Sequence, residues 1–124
     1  MMRYLTDRKR ADGKGASHTG TAHHWSMQMS AVGLAFLVPS WIYVFGSTLG
    51  QGRDAVLATF AQPFPAILTA LVIFVGMRHF AKGASMMIED YSKGSTRKIL
   101  IIFVVSLSYV ITATGLFALI KIAL

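Results

Sequence analysis

The chain of 124 residues contains no cysteine and only five acidic residues. The absence of cysteine excludes disulfides, thiolate metal ligation and thiol nucleophiles, so any iron or sulfur chemistry needs another ligand or another subunit. Charged residues make up only 14% of the chain and apolar residues 54%, which is not the balance of a soluble domain. The composition therefore predicts an integral membrane protein.

The few charges are mostly positive, and the formal net charge is +7. Such a charge also occurs in nucleic-acid-binding proteins, but here aromatic residues are not interleaved with the basic ones. The basic residues instead cluster beside hydrophobic segments, where they set the orientation of a membrane protein. We expect a lipid bilayer, and no nucleic acid, to be the partner of this charge.

Three hydrophobic segments cover most of the chain: Met27 to Leu49, Phe64 to Ile88 and Ile99 to Ile122. Each has the 20 or so residues that a helix needs to cross about 30 Å of hydrocarbon. A helix also satisfies its own backbone hydrogen bonds, which lipid cannot do. The sequence predicts an all-α integral membrane fold, with a polar arm at residues 1–25 and a three-helix transmembrane unit at residues 26–124.

The segments between the spans are short. Gly50 to Gln62 is expected to be a loop, and Pro63 and Pro65 suit the start of the second helix because proline is favoured in a first helical turn. The arm lacks the apolar run of a secretory signal close behind its basic residues. Aromatic residues expected to anchor the first helix at the membrane interface are Trp25, Trp41 and Tyr43.

Lysine and arginine outside the spans are distributed unevenly. Five lie in the arm and three in the segment Glu89 to Lys98, whereas the first loop has only Arg53 and the C-terminal end only Lys121. Positive residues favour the cytoplasmic side. The N-terminus is therefore expected in the cytoplasm and the C-terminus outside, and the second helix runs from outside to inside.

The segment RHFAKGASMMIEDY, residues 78–91, places polar groups at the end of this second helix. Gly76 and Gly83 lie three residues before and four after His79, so they flank the imidazole on one helix face and leave a shallow trough. Asp90 falls on the same face, about 16 Å nearer the cytoplasm. Ionisable residues within a membrane are costly and usually functional.

A histidine between glycines suits a haem, which needs a nitrogen for its iron and room for its flat ring. Arg78 and Lys82 then become possible contacts of the haem propionates. The other histidines precede the first span, so the opposing ligand must come from another subunit or a second copy of this chain. Other interpretations remain open: a His79 hydrogen bond to a neighbouring helix, basic side chains that reach the headgroups, and glycines that form a close packing face.

The pattern H-x3-G-x6-D-Y formed by His79, Gly83, Asp90 and Tyr91 resembles that of a known family, the smaller hydrophobic membrane-anchor subunit of bacterial succinate dehydrogenase, respiratory complex II. The segment HHWSMQMSAVG at residues 23–33 is similar to the start of that family's first helix. The length and the three spans match as well, so the resemblance covers nearly the whole chain.

The resemblance implies a role for each of these residues. His79 would be one axial ligand of a b-type haem (haem b) and thus a metal-binding residue, with its mate on the companion anchor subunit of the complex. Tyr91 would hydrogen-bond a carbonyl oxygen of ubiquinone, and Asp90 would hold a neighbouring arginine or a water there. Succinate oxidation, a step of the tricarboxylic acid cycle, would occur on a flavoprotein subunit, and an iron-sulfur subunit would pass the electrons on.

The expected function is therefore to anchor succinate:ubiquinone oxidoreductase in the bacterial inner membrane, with no complete active site on this chain. The alternatives are a haem-free structural or transport subunit and the anchor of a fumarate reductase. At the quinone end, the ordinary interpretation is that Tyr91 anchors at the interface and that Glu89 and Asp90 form a solvated turn.

Two stripes of small residues are expected to pack helices together: Ser26, Ser30 and Gly33, and Ser108, Thr112 and Gly115. Ser30 is also a candidate contact for the edge of a quinone or haem.

Overall fold

The computed structural model describes residues 6–8 and 20–124. Residues 20–124 form four α-helices and no strand: α1 Gly20–Gly46, α2 Arg53–Ala61, α3 Pro63–Tyr91 and α4 Gly94–Ala123. Three of them, α1, α3 and α4, are long and apolar enough to cross a membrane. The expected all-α fold with three spans is confirmed.

Most helix ends lie beyond the apolar segments from which the helices were predicted, but α1 ends at Gly46, before Leu49. Helix α1 begins at Gly20, within the expected arm, α3 continues to Tyr91, and α4 starts at Gly94. Hydropathy marks only the part of a helix that lies in hydrocarbon. Backbone hydrogen bonds continue through polar residues outside that part, so a helix can be longer than the hydrophobic span that predicts it.

The prediction of a loop from Gly50 to Gln62 is wrong, because nine of these residues form α2. Asp54 lies in the first turn of α2, where a negative charge favours the helix dipole. Phe60 is buried, and α2 packs against both α3 and α4. Apolar residues at helical spacing therefore hold this short helix against the ends of the spans. Gly50, with φ 81°, makes the turn that precedes it.

The start of α3 agrees with the sequence prediction. Pro63 is its first residue, and a proline there loses no hydrogen bond because the first N–H groups of a helix have no intrahelical partner. Gln62 joins the two helices: its N–H donates to the Thr59 carbonyl at 3.1 Å, and its carbonyl accepts from the Ala66 N–H at 3.0 Å.

The central helix of the bundle is α3, which packs against both α1 and α4. In the part of the chain that the structure describes, α1 and α4 do not contact each other. The Trp41 indole N–H donates to the Thr69 hydroxyl at 3.1 Å, and its ring stacks on Phe45 with centroids 4.9 Å apart. Trp41 therefore joins α1 to α3, whereas Trp25 and Tyr43 are exposed as an interface anchor would be.

The helices α3 and α4 approach each other closely at Gly115. A Cβ atom at this position would lie 3.1 Å from Cδ1 of Ile73. The Gly115→Val substitution is expected to destabilise the bundle by about 1–3 kcal/mol through overpacking, measured as thermal unfolding in detergent. Gly33→Val is the control, since a Cβ there has no neighbour within 4 Å. Equal effects at both glycines, or no relief from a second Ile73→Ala substitution, would contradict this assignment.

Candidate functional site

The residues predicted for the haem and quinone sites lie on α3, which is continuous from Pro63 to Tyr91, except for the candidate contact Ser30 on α1. Because the helix is unbroken, His79 and Asp90 share one face, as the spacing predicted, and Tyr91 projects about 100° away from Asp90. His79 is half-buried, whereas Asp90 and Tyr91 are exposed. The polar groups therefore occupy two separate positions along one helix.

His79 faces α1. Its Nδ1 atom forms a hydrogen bond of 2.8 Å with the hydroxyl of Ser30. Among the described residues, no other hydrogen bond is made by the imidazole, so Nε2 has no partner within this part of the chain. The hydrogen bond to a neighbouring helix, one of the interpretations left open by the sequence, is present. It uses only one of the two ring nitrogens.

The glycines beside His79 are covered by α1. A Cβ at Gly83 would lie 3.6 Å from Cε of Met27, and one at Gly76 would lie 3.9 Å from Cδ2 of Leu34. Both distances are ordinary van der Waals contacts. The trough expected from the sequence is therefore not open, because side chains of α1 lie over both glycines.

Lys82 also contacts α1. Its ammonium group donates a hydrogen bond to the hydroxyl of Ser26, one turn before Ser30. Two serines of α1 thus meet two polar residues of α3 at successive turns. The expected packing role of the Ser26 and Ser30 face is confirmed, although these serines contribute hydrogen bonds as well as small size. Gly33 has no close neighbour across the interface.

A cleft of about 330 Å³ opens between α3 and α4. Among the described residues, the charged ones that line it are Arg78 and Lys82; the others are Phe74, Met77, Ala81, Ser85, Val105, Ser108, Tyr109 and Thr112. No described acidic residue lines it, and the only ion pair within residues 20–124, Arg53 with Asp54, is exposed in α2.

The wall that α4 contributes to this cleft was not recognised from the sequence. Its only signal was the stripe of small residues that includes Ser108 and Thr112. The Ser108 hydroxyl donates to the Val104 carbonyl at 2.8 Å, and the Thr112 hydroxyl donates to the Ser108 carbonyl at 2.8 Å. Their donors are satisfied within α4, so this wall is less polar than its composition indicates.

Asp90 and Tyr91 lie in the last turn of α3. The Ser92 N–H closes that turn by donating to the Ile88 carbonyl at 2.9 Å. Glu89 and Asp90 are both exposed in this last helical turn, so the alternative interpretation of a solvated turn stays open. Tyr91 is 87% exposed, and neither it nor Asp90 hydrogen-bonds another side chain in residues 20–124. Their polar groups remain available to a molecule outside this chain.

These features define a class: a three-span membrane subunit whose central helix carries polar groups that its own described residues leave partly unpaired. Residues 2–114 match the family described as succinate dehydrogenase/fumarate reductase transmembrane subunit. The chain is also 46% identical, over 123 residues, to the succinate dehydrogenase hydrophobic membrane anchor subunit of Paracoccus denitrificans. The alignment covers 99% of this chain and 95% of that relative.

The chain therefore belongs to the succinate dehydrogenase/fumarate reductase transmembrane subunit family and is a membrane anchor of that kind. The resemblance drawn from His79, Gly83, Asp90 and Tyr91 is confirmed at the level of the family. No solved structure matches the chain significantly. Membership implies catalytic partner subunits and a membrane.

Proposed function

We propose that the chain anchors a succinate:ubiquinone oxidoreductase, shares a b-type haem with a companion anchor subunit and contributes to the ubiquinone-reduction site. The observation that carries the proposal is the state of His79. It lies within a membrane span, its Nδ1 is held by Ser30, and its Nε2 has no partner among the described residues. Family membership supplies the context in which such a nitrogen is an axial ligand.

The residues present fit a haem by their chemistry. Histidine nitrogen is a common axial ligand, and a metal-bound histidine usually has its other nitrogen hydrogen-bonded, as His79 has. Arg78 and Lys82 would hold the propionates, since no described carboxylate lies in their cleft to neutralise them. When bound, the haem supplies a site that stores one electron. The glycines add no space for it, because α1 already covers them.

The chain provides only one half of each site. Its other histidines, His18, His23 and His24, all precede the hydrophobic part of α1, so the second axial ligand would come from the companion anchor subunit. We refer to His79 as the haem half-site and to Asp90 with Tyr91 as the quinone half-site. The flavoprotein and iron-sulfur subunits would oxidise succinate and deliver electrons.

The quinone half-site has the two functions that quinone reduction requires. The Tyr91 hydroxyl would donate a hydrogen bond to a quinone carbonyl oxygen and stabilise the negative charge that develops there. The Asp90 carboxylate would orient a neighbouring arginine or water and take part in proton delivery. Both side chains are exposed at the end of α3, which the distribution of lysine and arginine favours as the cytoplasmic end.

A fumarate reductase anchor is the second candidate, because the matching family includes both enzymes. The two half-sites serve electron flow in either direction. A haem-free structural or transport subunit would instead use its cleft and polar groups only to bind a partner or an ion.

Purification of the tagged chain from native membranes tests the proposal. We expect a flavoprotein, an iron-sulfur protein and a second anchor to copurify, together with haem b and succinate-dependent quinone reduction. Deletion of the chain should release succinate oxidation measured with an artificial dye from the membrane into the soluble fraction. An assembly that contains neither haem nor quinone would favour the structural or transport function instead.

A further inference from the structure

The Ser30 hydroxyl has three hydrogen-bonding neighbours but only one proton. Its oxygen lies 3.0 Å from the Ser26 carbonyl oxygen, 2.9 Å from the Met27 carbonyl oxygen and 2.8 Å from Nδ1 of His79. The two carbonyls belong to the preceding turn of α1, and the imidazole belongs to α3. The position of that single proton therefore determines the role of the imidazole.

The carbonyl oxygens decide where the proton lies. A carbonyl oxygen can only accept, so a hydroxyl between two of them avoids repulsion between lone pairs only if it donates to one or shares its proton between both. Ser30 then has only lone pairs left for His79. In the neutral imidazole, Nδ1 must therefore carry the hydrogen and donate it to Ser30, and Nε2 must carry the free lone pair.

The packing of α1 makes this hydrogen bond possible. Leu34 and Met27 of α1 lie over Gly76 and Gly83 of α3, on both sides of the histidine. The Ser26 contact with Lys82 joins the same two helices one turn away. Ser30 is thus fixed by its own helix and by the contacts around it.

We propose that Ser30 is a positioning residue for the haem ligand: it selects the His79 tautomer whose Nε2 can bind iron and fixes the orientation of the ring. This inference rests on the proposed function of His79. Donation from Nδ1–H to an oxygen makes the imidazole more electron-rich, which stabilises oxidised iron. Loss of the acceptor should therefore raise the midpoint potential of the haem.

A matched pair of variants separates the hydroxyl from its size. Ser30→Thr keeps the hydroxyl. Ser30→Val introduces a side chain of nearly the same shape as threonine but without the hydroxyl. In the complete complex, redox titration of the haem absorbance should give Ser30→Thr a native potential. Ser30→Val should change the ratio of oxidised to reduced haem at a fixed potential about tenfold, which corresponds to an upward shift of about 59 mV.

Two further variants complete the experiment. Ser40→Val removes a hydroxyl of α1 that donates only to the Phe36 carbonyl, at 2.8 Å, and should leave the potential unchanged. His79→Ala tests the ligand itself. If this last variant keeps the haem spectrum, the proposed role of His79 fails. If it loses the spectrum while Ser30→Thr and Ser30→Val have equal potentials, only the inference about Ser30 fails.

Loss of haem gives a result as clear as a shift in potential. Haem retained in Ser30→Thr and lost in Ser30→Val would support the inference, because only the hydroxyl differs. Haem lost from both would overturn it, because the size of the side chain at this position, and not its oxygen, would then control binding.

Discussion

Replacement of His79 by alanine is expected to abolish the reduced-minus-oxidised spectrum of the b-type haem. The substitution removes the only histidine of this chain that follows residue 24, and its Nε2 is the ring nitrogen without a partner in the described structure. A bis-histidine haem that loses one axial ligand loses the geometry that defines its spectrum. The measurement is the spectrum of membranes that contain the variant and its partner subunits.

His24→Ala is the control for this experiment. His24 lies at the start of α1 and is exposed, so its loss should leave the spectrum intact. The amount of assembled complex must be compared as well, because a variant that fails to assemble also lacks haem. An assembled His79→Ala complex with the native spectrum would show that the iron is held by other residues.

The Tyr91→Phe substitution is expected to slow ubiquinone reduction while succinate oxidation with an artificial dye continues. It removes the hydroxyl and keeps the ring, so the packing at the end of α3 should change little. A hydrogen bond to a group that becomes charged contributes about 1.5–3 kcal/mol, which corresponds to a rate decrease of about 10- to 150-fold. The two assays should be run on the same membranes.

Tyr43→Phe provides the comparison for Tyr91. Tyr43 is also largely exposed, but it lies in the last turn of α1, at the opposite end of the bundle from the quinone half-site. Its substitution should affect neither assay. If the Tyr91 variant lost both activities to the same extent, the defect would lie in assembly or in succinate oxidation, and the proposed quinone contact would be wrong.

The sequence predicted the features of the fold that depend on one segment at a time. The three spans follow from hydropathy, the start of α3 follows from Pro63, and the shared face of His79 and Asp90 follows from helical spacing. The helix α2 was missed because its nine residues are too few to be stable alone. Its stability depends on contacts with α3 and α4, which no single segment reveals.

The candidate site likewise has features that depend on one helix, which the sequence predicted, and features that depend on two helices, which it did not. His79, Asp90 and Tyr91 were found because their spacing lies within one helix. The hydrogen bond between Ser30 and His79 joins residues 49 positions apart and depends on how closely α1 approaches α3. The glycines indicated close packing, but the sequence did not show whether a helix or a haem would fill the space. Tertiary packing determines which residues of α1 lie beside the glycines, and it therefore determines what fills that space.

The continuity of α3 has a mechanical consequence. The helix contains no proline after Pro65 and is unbroken between His79 and Tyr91, so these residues are held about 18 Å apart along its axis. Without a hinge between them, any tilt or rotation of α3 displaces both together. The helix therefore acts as a lever of fixed length, and a shift in packing at the quinone half-site would be transmitted directly to the proposed haem ligand.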